Sequence, residues 1–495
     1  MSGHTERLAG LAVLSAVIGD ARSVHVRADD VDPALWASGR HLLVDRPGGD
    51  TAAVIVADGV DDAAAKLDAV AAEVGETNTL RGPVWVLWRG QRARAVEDAA
   101  ARARLAVHAA FRCTASPSAP VHLVREGPGG ATRWFGAAVR ERWGWRSRIG
   151  ALANQVPAIG QRFFEGRALL LAPPEDTLRW PGAVTAGSTP AVLHLASGTS
   201  SGRAVLTWAD ESGTPLAHTK VGLSDHSAGL SVEAHTLTVL ATMGGLEGSV
   251  PRLAQWQEAA HWLTLTQSHL AGRAIHPPAP GTPGAATALH DLDAQVSAWV
   301  RELALASRSV ALGELPAPDP SVAATVAGDF DDPGLAEAVL RGLVVAKERP
   351  SVLHGDLWRG NVLQAPDGAS LRVIDWESAR VGHPVFDLLT WVVTQRSSGG
   401  PVGPAFTEAL TVEGDGAVTA ERVASLLAAI DQELDADDVE ALVLAQLVLI
   451  ALEGGPATPS EARQREWLAA VESVWQAWQR DGSPWRPAAM GQVRA

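Results

Sequence analysis

Between Leu353 and Glu377 the chain reads LHGDLWRGNVLQAPDGASLRVIDWE, and no other passage constrains the fold so tightly. A polar loop leads into a short apolar run, Val362-Leu363. A Pro366-Asp367-Gly368 turn follows, then a second apolar run, Leu371 to Ile374, that ends in an acid. Two apolar runs joined by Pro-Asp-Gly make a hairpin. A hairpin of that length folds Asp375 back beside Asn361, so two oxygen-bearing side chains meet at its open end.

The polar positions fit one chemistry. Moving a γ-phosphoryl group from ATP to a hydroxyl needs a carboxylate near the attacking oxygen and one or two Mg²⁺ ions held by oxygen ligands over the phosphates. Asp356 supplies the first, and Asn361 with Asp375 the second. His-Gly-Asp alone is a turn in most proteins, and Asp-Trp-Glu alone carries nothing. The ordered set, with apolar strands between its members, carries the inference.

This passage resembles the aminoglycoside phosphotransferase and choline kinase-like group of the protein-kinase-like superfamily, whose motif is H-G-D-x-x-x-x-N followed by a D-x-[DE] metal motif. The comparable segments of protein kinases are H-R-D-x-x-x-x-N and D-F-G. The resemblance implies a two-lobed α+β kinase-like domain, with a small antiparallel-sheet lobe and a large helical lobe. Asp356 is then the catalytic residue, and Asn361 and Asp375 are the metal ligands. It also implies an upstream nucleotide site. The turn Ser197 to Gly202 between two apolar strands, with Gly198, Ser200, Ser201 and Gly202, lets backbone N–H groups approach phosphate. Lys220 ends the strand Pro215 to Val221, and Glu233 lies on a helix from Leu230 to Met243. By position they inherit the lysine and glutamate that orient ATP phosphates in kinase-like folds. The resemblance further implies a hinge at the β-rich run Trp262 to Gln267, ahead of the L-x-G turn Leu270 to Arg273, where backbone groups near Leu265, Thr266 and Gln267 would take the adenine edge. Downstream, Gly382-His383-Pro384-Val385-Phe386-Asp387-Leu388 resembles the family's G-x-P-x-x-D-L segment. There the aspartate is architectural, bonding the catalytic loop, and His354 buttresses that loop.

The acceptor is left open. Leu357-Trp358 echoes fructosamine kinases, which carry H-G-D-L-W-x-G-N, whereas Asp-Trp-Glu favours the broader aminoglycoside phosphotransferase grouping. An amino sugar, a choline-like alcohol and a sugar all stand. The rival from another class is a pseudokinase serving the N-terminal region as a nucleotide-binding or scaffolding partner. Its usual mark is loss of the lysine, the catalytic aspartate or the metal aspartate, and all three are present.

Composition bounds the rest. At 495 residues, with 41 Lys+Arg against 56 Asp+Glu and a formal charge of −15, the chain suggests two or three domains and argues against nucleic-acid or anionic-membrane partners. A cationic small substrate suits that charge. One cysteine, Cys113, excludes an internal disulfide and points to the reducing cytoplasm. The opening segment Leu8 to Gly19 reads as an amphipathic helix, since Glu6 and Arg7 before it carry no net positive charge. The apolar run Ala441 to Leu452 is too short to span a bilayer.

Residues 1–180 alternate strand and helix, the pattern of an α/β domain. His41 to Asp45, Ala53 to Ala57, Val84 to Trp88 and Val121 to Arg125 read as strands, Asp62 to Val74 and Arg92 to Phe111 as helices. No dinucleotide or P-loop fingerprint occurs there. Its stretch Arg140 to Arg148, mixing arginine and tryptophan, reads as a solvated helix face. A linker at 181–190, a kinase-like N-lobe at 191–266 and a helical C-lobe at 267–495 complete the division. In that C-lobe Pro277 to Pro283 reads as a loop. Helices are expected at Asp291 to Ala306, Gly334 to Lys347, Val385 to Gln395, Ala420 to Leu434, Asp437 to Leu452 and Glu461 to Trp478. The acidic cluster from Asp431 to Glu440 reads as a helix start, where negative charge is favoured.

Overall fold

A computed structural model describes Leu14 and residues 23–27, 51–74, 82–90, 92–114, 122–126, 166–176, 178–183, 189–195, 203–224, 227–259, 262–275, 285–312, 315–317, 320–328, 330–396, 402–453 and 461–486. Outside them fall the expected strand at 41–45, the opening segment apart from Leu14, the basic stretch 140–148, the loop 277–283, and the turn with Gly198, Ser200, Ser201 and Gly202. The chain divides into two compact units, Met1–Ser231 with Leu253–His269, and Val232–Arg252 with Leu270–Ala495.

The first unit is built on one 11-stranded sheet. Its strands are β1 (Ser23–Arg27), β2 (Thr51–Ala57), β3 (Val84–Arg89), β4 (Ala106–Thr114), β5 (His122–Arg125), β6 (Gly166–Ala172), β7 (Val192–Leu195), β8 (Ala204–Ala209), β9 (Pro215–Leu223), β10 (Leu253–Glu258) and β11 (Trp262–Ser268), in the order β1-β2-β3-β6-β4-β5-β7-β8-β9-β11-β10. The β1-β2-β3 ladder is parallel and every other pairing antiparallel. Strand β2, TAAVIVA, is buried along its whole length, as a parallel strand covered on both faces must be. Helix α1 (Val60–Val74) makes the crossover to β3, and its Ala63, Leu67, Val70 and Val74 recur at helical spacing on the buried side. They pack with α2 (Arg94–Arg102) on one face, against Ile55, Val86 and Leu169. The opposite face gathers Trp85, Phe111, Leu193, Leu206, Trp208 and Val221. Trp85 lies 5.3 Å from Phe111 and 6.3 Å from Trp180, and each such buried ring contributes about 2–3 kcal/mol.

Two features depart from the sequence pattern. The helix expected over 92–111 stops at Arg102. Arg104 takes φ 59°, Leu105 N donates to Ala100 O and Arg104 N to Ala101 O, a helix-closing pair of bonds usually built around glycine. The following residues become β4 because β5 and β6 flank them, and sheet pairing overrides the helical propensity of the alanines. The sheet also runs across the expected 181–190 linker: His122 pairs with His194, Leu123 with Leu193 and Val124 with Val192.

The second unit is mainly helical, with a short strand, β12 (Arg273–Ala274), close after Leu270. After α3 (Ala228–Leu240), which crosses the unit boundary in sequence, come α4 (Ala285–Ser307), α5 (Pro320–Gly328), α6 (Pro333–Val345), α7 (Val385–Arg396), α8 (Val402–Leu410), α9 (Gly416–Ala429), α10 (Ala436–Glu453) and α11 (Glu461–Asp481). Helices α5 and α8, and strands β1, β6 and β10, have no counterpart in the sequence reading. Gly342 of α6 lets that helix press on α10: a Cβ there would stand 1.9 Å from the Ala441 carbonyl oxygen. The acidic run before and into α10 is laced by arginines, Arg308 to Asp431, Arg341 to Asp438 and Arg486 to Glu440. No described helix is long and apolar enough to cross a membrane. The chain thus contains, in order, an α/β N-terminal portion, a small antiparallel portion and a large helical portion, the parts of the fold class read from the sequence.

Candidate active site

The motif loop is delivered by β13 (Ser351–Leu353), which pairs antiparallel with β16 (Arg380–Gly382). Beyond it, β14 (Val362–Gln364) and β15 (Leu371–Val373) form the expected hairpin, Val362 opposite Val373. Asp367 ties its tip by accepting from Ala369 N and Ser370 N. At the open end Ile374 N donates to Asn361 O at 2.9 Å. Asp375 therefore follows directly on a residue bonded to Asn361.

The loop is held mainly by side chains bonding to backbone. Asp387, in the first turn of α7 and fully buried, accepts from His354 N at 2.6 Å and Gly355 N at 3.0 Å. Burial raises its carboxyl above the usual range, opposed by the nearby His354 and by these two bonds. The His354 ring lies 2.9 Å through Nε2 from Ile374 O, which can only accept, so Nε2 carries the proton and Nδ1 accepts from Asp356 N at 3.3 Å. Both ring nitrogens are committed, and the ring packs 4.8 Å from Trp376. Gly355 has φ 78°, and a Cβ there would stand 2.0 Å from Ser378 O, so only glycine fits.

Asp356 is half-buried. Burial pushes its carboxyl up to about 7, with the charge of Asp375 adding to the rise and the Asn361 bond opposing it. Asn361 Nδ2 donates to Asp356 O at 2.9 Å and Oδ2 at 3.2 Å. Because a carbonyl oxygen only accepts, this fixes the amide orientation and leaves Oδ1 as the side chain's acceptor. Asp375 takes φ 69° and ψ 68°, a left-handed conformation uncommon outside glycine and concentrated at functional sites.

The sequence missed one grouping. Glu233 of α3 is fully buried and its Oε1 accepts from Trp376 N at 3.3 Å. Carboxylate oxygens of Glu233, Asp375 and Glu377 all lie within 4.8 Å of one another, an all-oxygen set able to hold one hard divalent cation. Glu233 and Asp375 stand 142 residues apart, and no local pattern signals such a meeting.

Lys220 and Thr266 belong to the sheet unit. Lys220 sits on β9 between Val205 and Leu265, sharing a face with His218 and Thr207. His218 bonds Thr207 Oγ1 at 3.1 Å and His269 at 2.9 Å, and burial, with His269 and Lys220 adding, holds it near 3. Thr266 points to the opposite face, where its hydroxyl bonds Thr219 at 2.8 Å and Trp208 Nε1 donates to Thr219 at 2.9 Å.

Among solved structures, the aminoglycoside phosphotransferase APH(3'')-Id from Streptomyces rimosus is 20% identical, with 50% of this chain and 89% of that one covered and a TM-score of 0.31. It also appears in complex with ADP and streptomycin. Plasmodium vivax ethanolamine kinase is 11% identical, with 56% and 81% covered and a TM-score of 0.35. No curated protein matches the chain. Residues 195–427, the part that holds the motif loop, its hairpin, Lys220 and Glu233, match the model of APH, the phosphotransferase enzyme family.

Proposed function

We propose that the chain is an ATP- and Mg²⁺-dependent phosphotransferase that moves the γ-phosphoryl group to a hydroxyl of a small molecule, an amino sugar, a choline-like alcohol or a sugar. The observation that carries this reading is the loop geometry: a carboxylate at Asp356 raised to about 7, fixed by Asn361 beside an acidic hairpin end. A base with that proton affinity suits a hydroxyl at neutral pH. Asp356 accepts the acceptor's proton as its oxygen bonds to phosphorus, the bond to the bridging oxygen breaks, and ADP leaves. Mg²⁺, when bound, neutralises charge on the phosphates.

Asn361 Oδ1 and Asp375 would hold the metal, and the all-oxygen donor set fits it. Glu233 and Glu377, within reach of Asp375, extend that set. Lys220 would bind the α/β-phosphates, the turn with Gly198, Ser200, Ser201 and Gly202 would cover them, and backbone around Thr266 would meet the adenine. The compartment we assign is the reducing cytoplasm. Cys113 is buried, its thiol pushed well up by desolvation, and suited to neither disulfide nor nucleophile.

The test is ATP consumption with Mg²⁺ across a panel of amino-sugar, choline-like and sugar acceptors, for the wild type and Asp356→Ala. Acceptor-dependent turnover lost in the variant supports the reading. Equal consumption by both proteins removes Asp356 from the mechanism, and consumption by neither with any acceptor leaves a nucleotide-binding scaffold.

A further inference from the structure

Between the acidic hairpin end and the start of α7 stands Arg380, in neither of the two motif segments that flank it. It opens β16 directly opposite Leu353, the residue before His354. Only 9% of it is exposed, and its guanidinium lies 4.2 Å from the centroid of the Phe386 ring, whose next residue is Asp387. A buried guanidinium is strongly unfavourable unless an opposite charge stands near it.

Two carboxylates act on that charge. Burial pulls the guanidinium down to about 10, opposed first by Asp387 and then by Asp356, so it stays cationic at neutral pH. Asp387 depends on this cation the more. Its carboxyl holds His354 N at 2.6 Å and Gly355 N at 3.0 Å, one amide to each oxygen. Protonation would turn one of those oxygens into a hydroxyl, a donor set against a donor. Burial favours that protonated form, and His354, the two amide bonds and Arg380 oppose it. The His354 ring, accepting through Nδ1 and donating through Nε2, is neutral in this arrangement. The permanent charge is therefore that of Arg380.

We infer that Arg380 is a positioning residue of the phosphoryl-transfer site: its buried charge keeps Asp387 an anion, and that anion holds the backbone of His354 and Gly355 that carries Asp356. Arg380 touches no reacting atom. The catalytic consequence rests on the phosphotransferase reading, whereas the hold on the loop does not. The competing role is packing alone, an apolar stem and a flat head laid on Phe386.

The test is amide hydrogen exchange of the full chain at pH 7, resolved to single residues by mass spectrometry, for the wild type, Arg380→Met and Arg380→Lys. Methionine keeps an apolar stem on Phe386 and removes the charge, while lysine keeps the charge and gives up the planar stack. Exchange at His354 and Gly355 should quicken about tenfold or more in Arg380→Met and stay within about threefold of the wild type in Arg380→Lys. Two amides elsewhere in the same unit serve as controls and should not change: Val373, which donates to Ser249 O at 2.7 Å, and Leu444, buried within α10. Arg380→Gln, also neutral, carries the same expectation should Arg380→Met fail to fold. With an acceptor that turns over, kcat of the neutral variant should fall about tenfold or more while the KM for ATP stays within about threefold, because the nucleotide does not meet Arg380. Unchanged exchange at His354 and Gly355 in the neutral variants, equal loosening by methionine and lysine, or equal loosening at Val373 and Leu444 overturns the proposal. Absence of turnover with every acceptor counts against the phosphotransferase reading alone, and the exchange rates still decide the role of Arg380.

Discussion

The motif loop and the antiparallel strands that carry Lys220 place their polar groups by opposite means. In the loop, single side chains hold the backbone: one carboxylate, Asp387, takes two amide protons, and one histidine spends both ring nitrogens on neighbours. In the sheet, register does the placing. Lys220 stands where it does because Val205 and Leu265 flank it in a continuous ladder of backbone bonds. Side-chain anchoring concentrates free energy in a few atoms, and ladder anchoring spreads it. Substitutions in the loop should therefore be severe and specific, and those in the sheet mild.

The largest effect is expected at Asp356. Asp356→Asn keeps the shape and the Asn361 backbone bond but removes the proton acceptor, so kcat should fall about 10²–10⁴-fold with little loss of stability. Steady-state kinetics alongside thermal unfolding checks this, and a variant that is both inactive and unfolded would erase the contrast. Next comes Asp387→Leu, which strands two buried amide protons and removes the charge-assisted bonds of the loop. About 3–5 kcal/mol of stability should be lost, read as a lower urea midpoint.

A third prediction concerns pH. A carboxyl raised to about 7 is ionised above that value and protonated below it, so kcat/KM should fall about tenfold per pH unit on the acid side. Since the charge of Asp375 contributes to the rise, saturating Mg²⁺ should move this limb to lower pH. A limb near pH 4 at limiting Mg²⁺ would mean that Asp356 is better solvated than its burial implies. The smallest effect belongs to the sheet. Thr219→Val deprives Trp208 Nε1 and the Thr266 hydroxyl of their shared partner, yet should cost only about 1–2 kcal/mol in urea unfolding, with register and Lys220 unmoved.

The sequence made the loop legible because its geometry is local. Pro366-Asp367-Gly368 defines a turn, the apolar runs are short, and residue counting alone brings Asp375 back to Asn361. Other features depend on distant partners. The end of α2 was hidden because arginine, not glycine, occupies the left-handed position at residue 104. The meeting of Glu233 with Asp375 and Glu377 depends on how α3 packs in the helical unit, which no window of sequence contains. The β5–β7 pairing joins strands nearly 70 residues apart, and each reads alone as an ordinary short apolar run.

That pairing decides how the protein can be taken apart. Strand β7 has two neighbours, β5 on one side and β8 on the other. A fragment starting after residue 180 would strip one flank of β7 bare, offering its unpaired amides and carbonyls to any passing strand, the usual opening for aggregation. The N-terminal portion serves, whatever else it does, as the edge guard of the strands that follow it, and dissection experiments need to keep β5 attached.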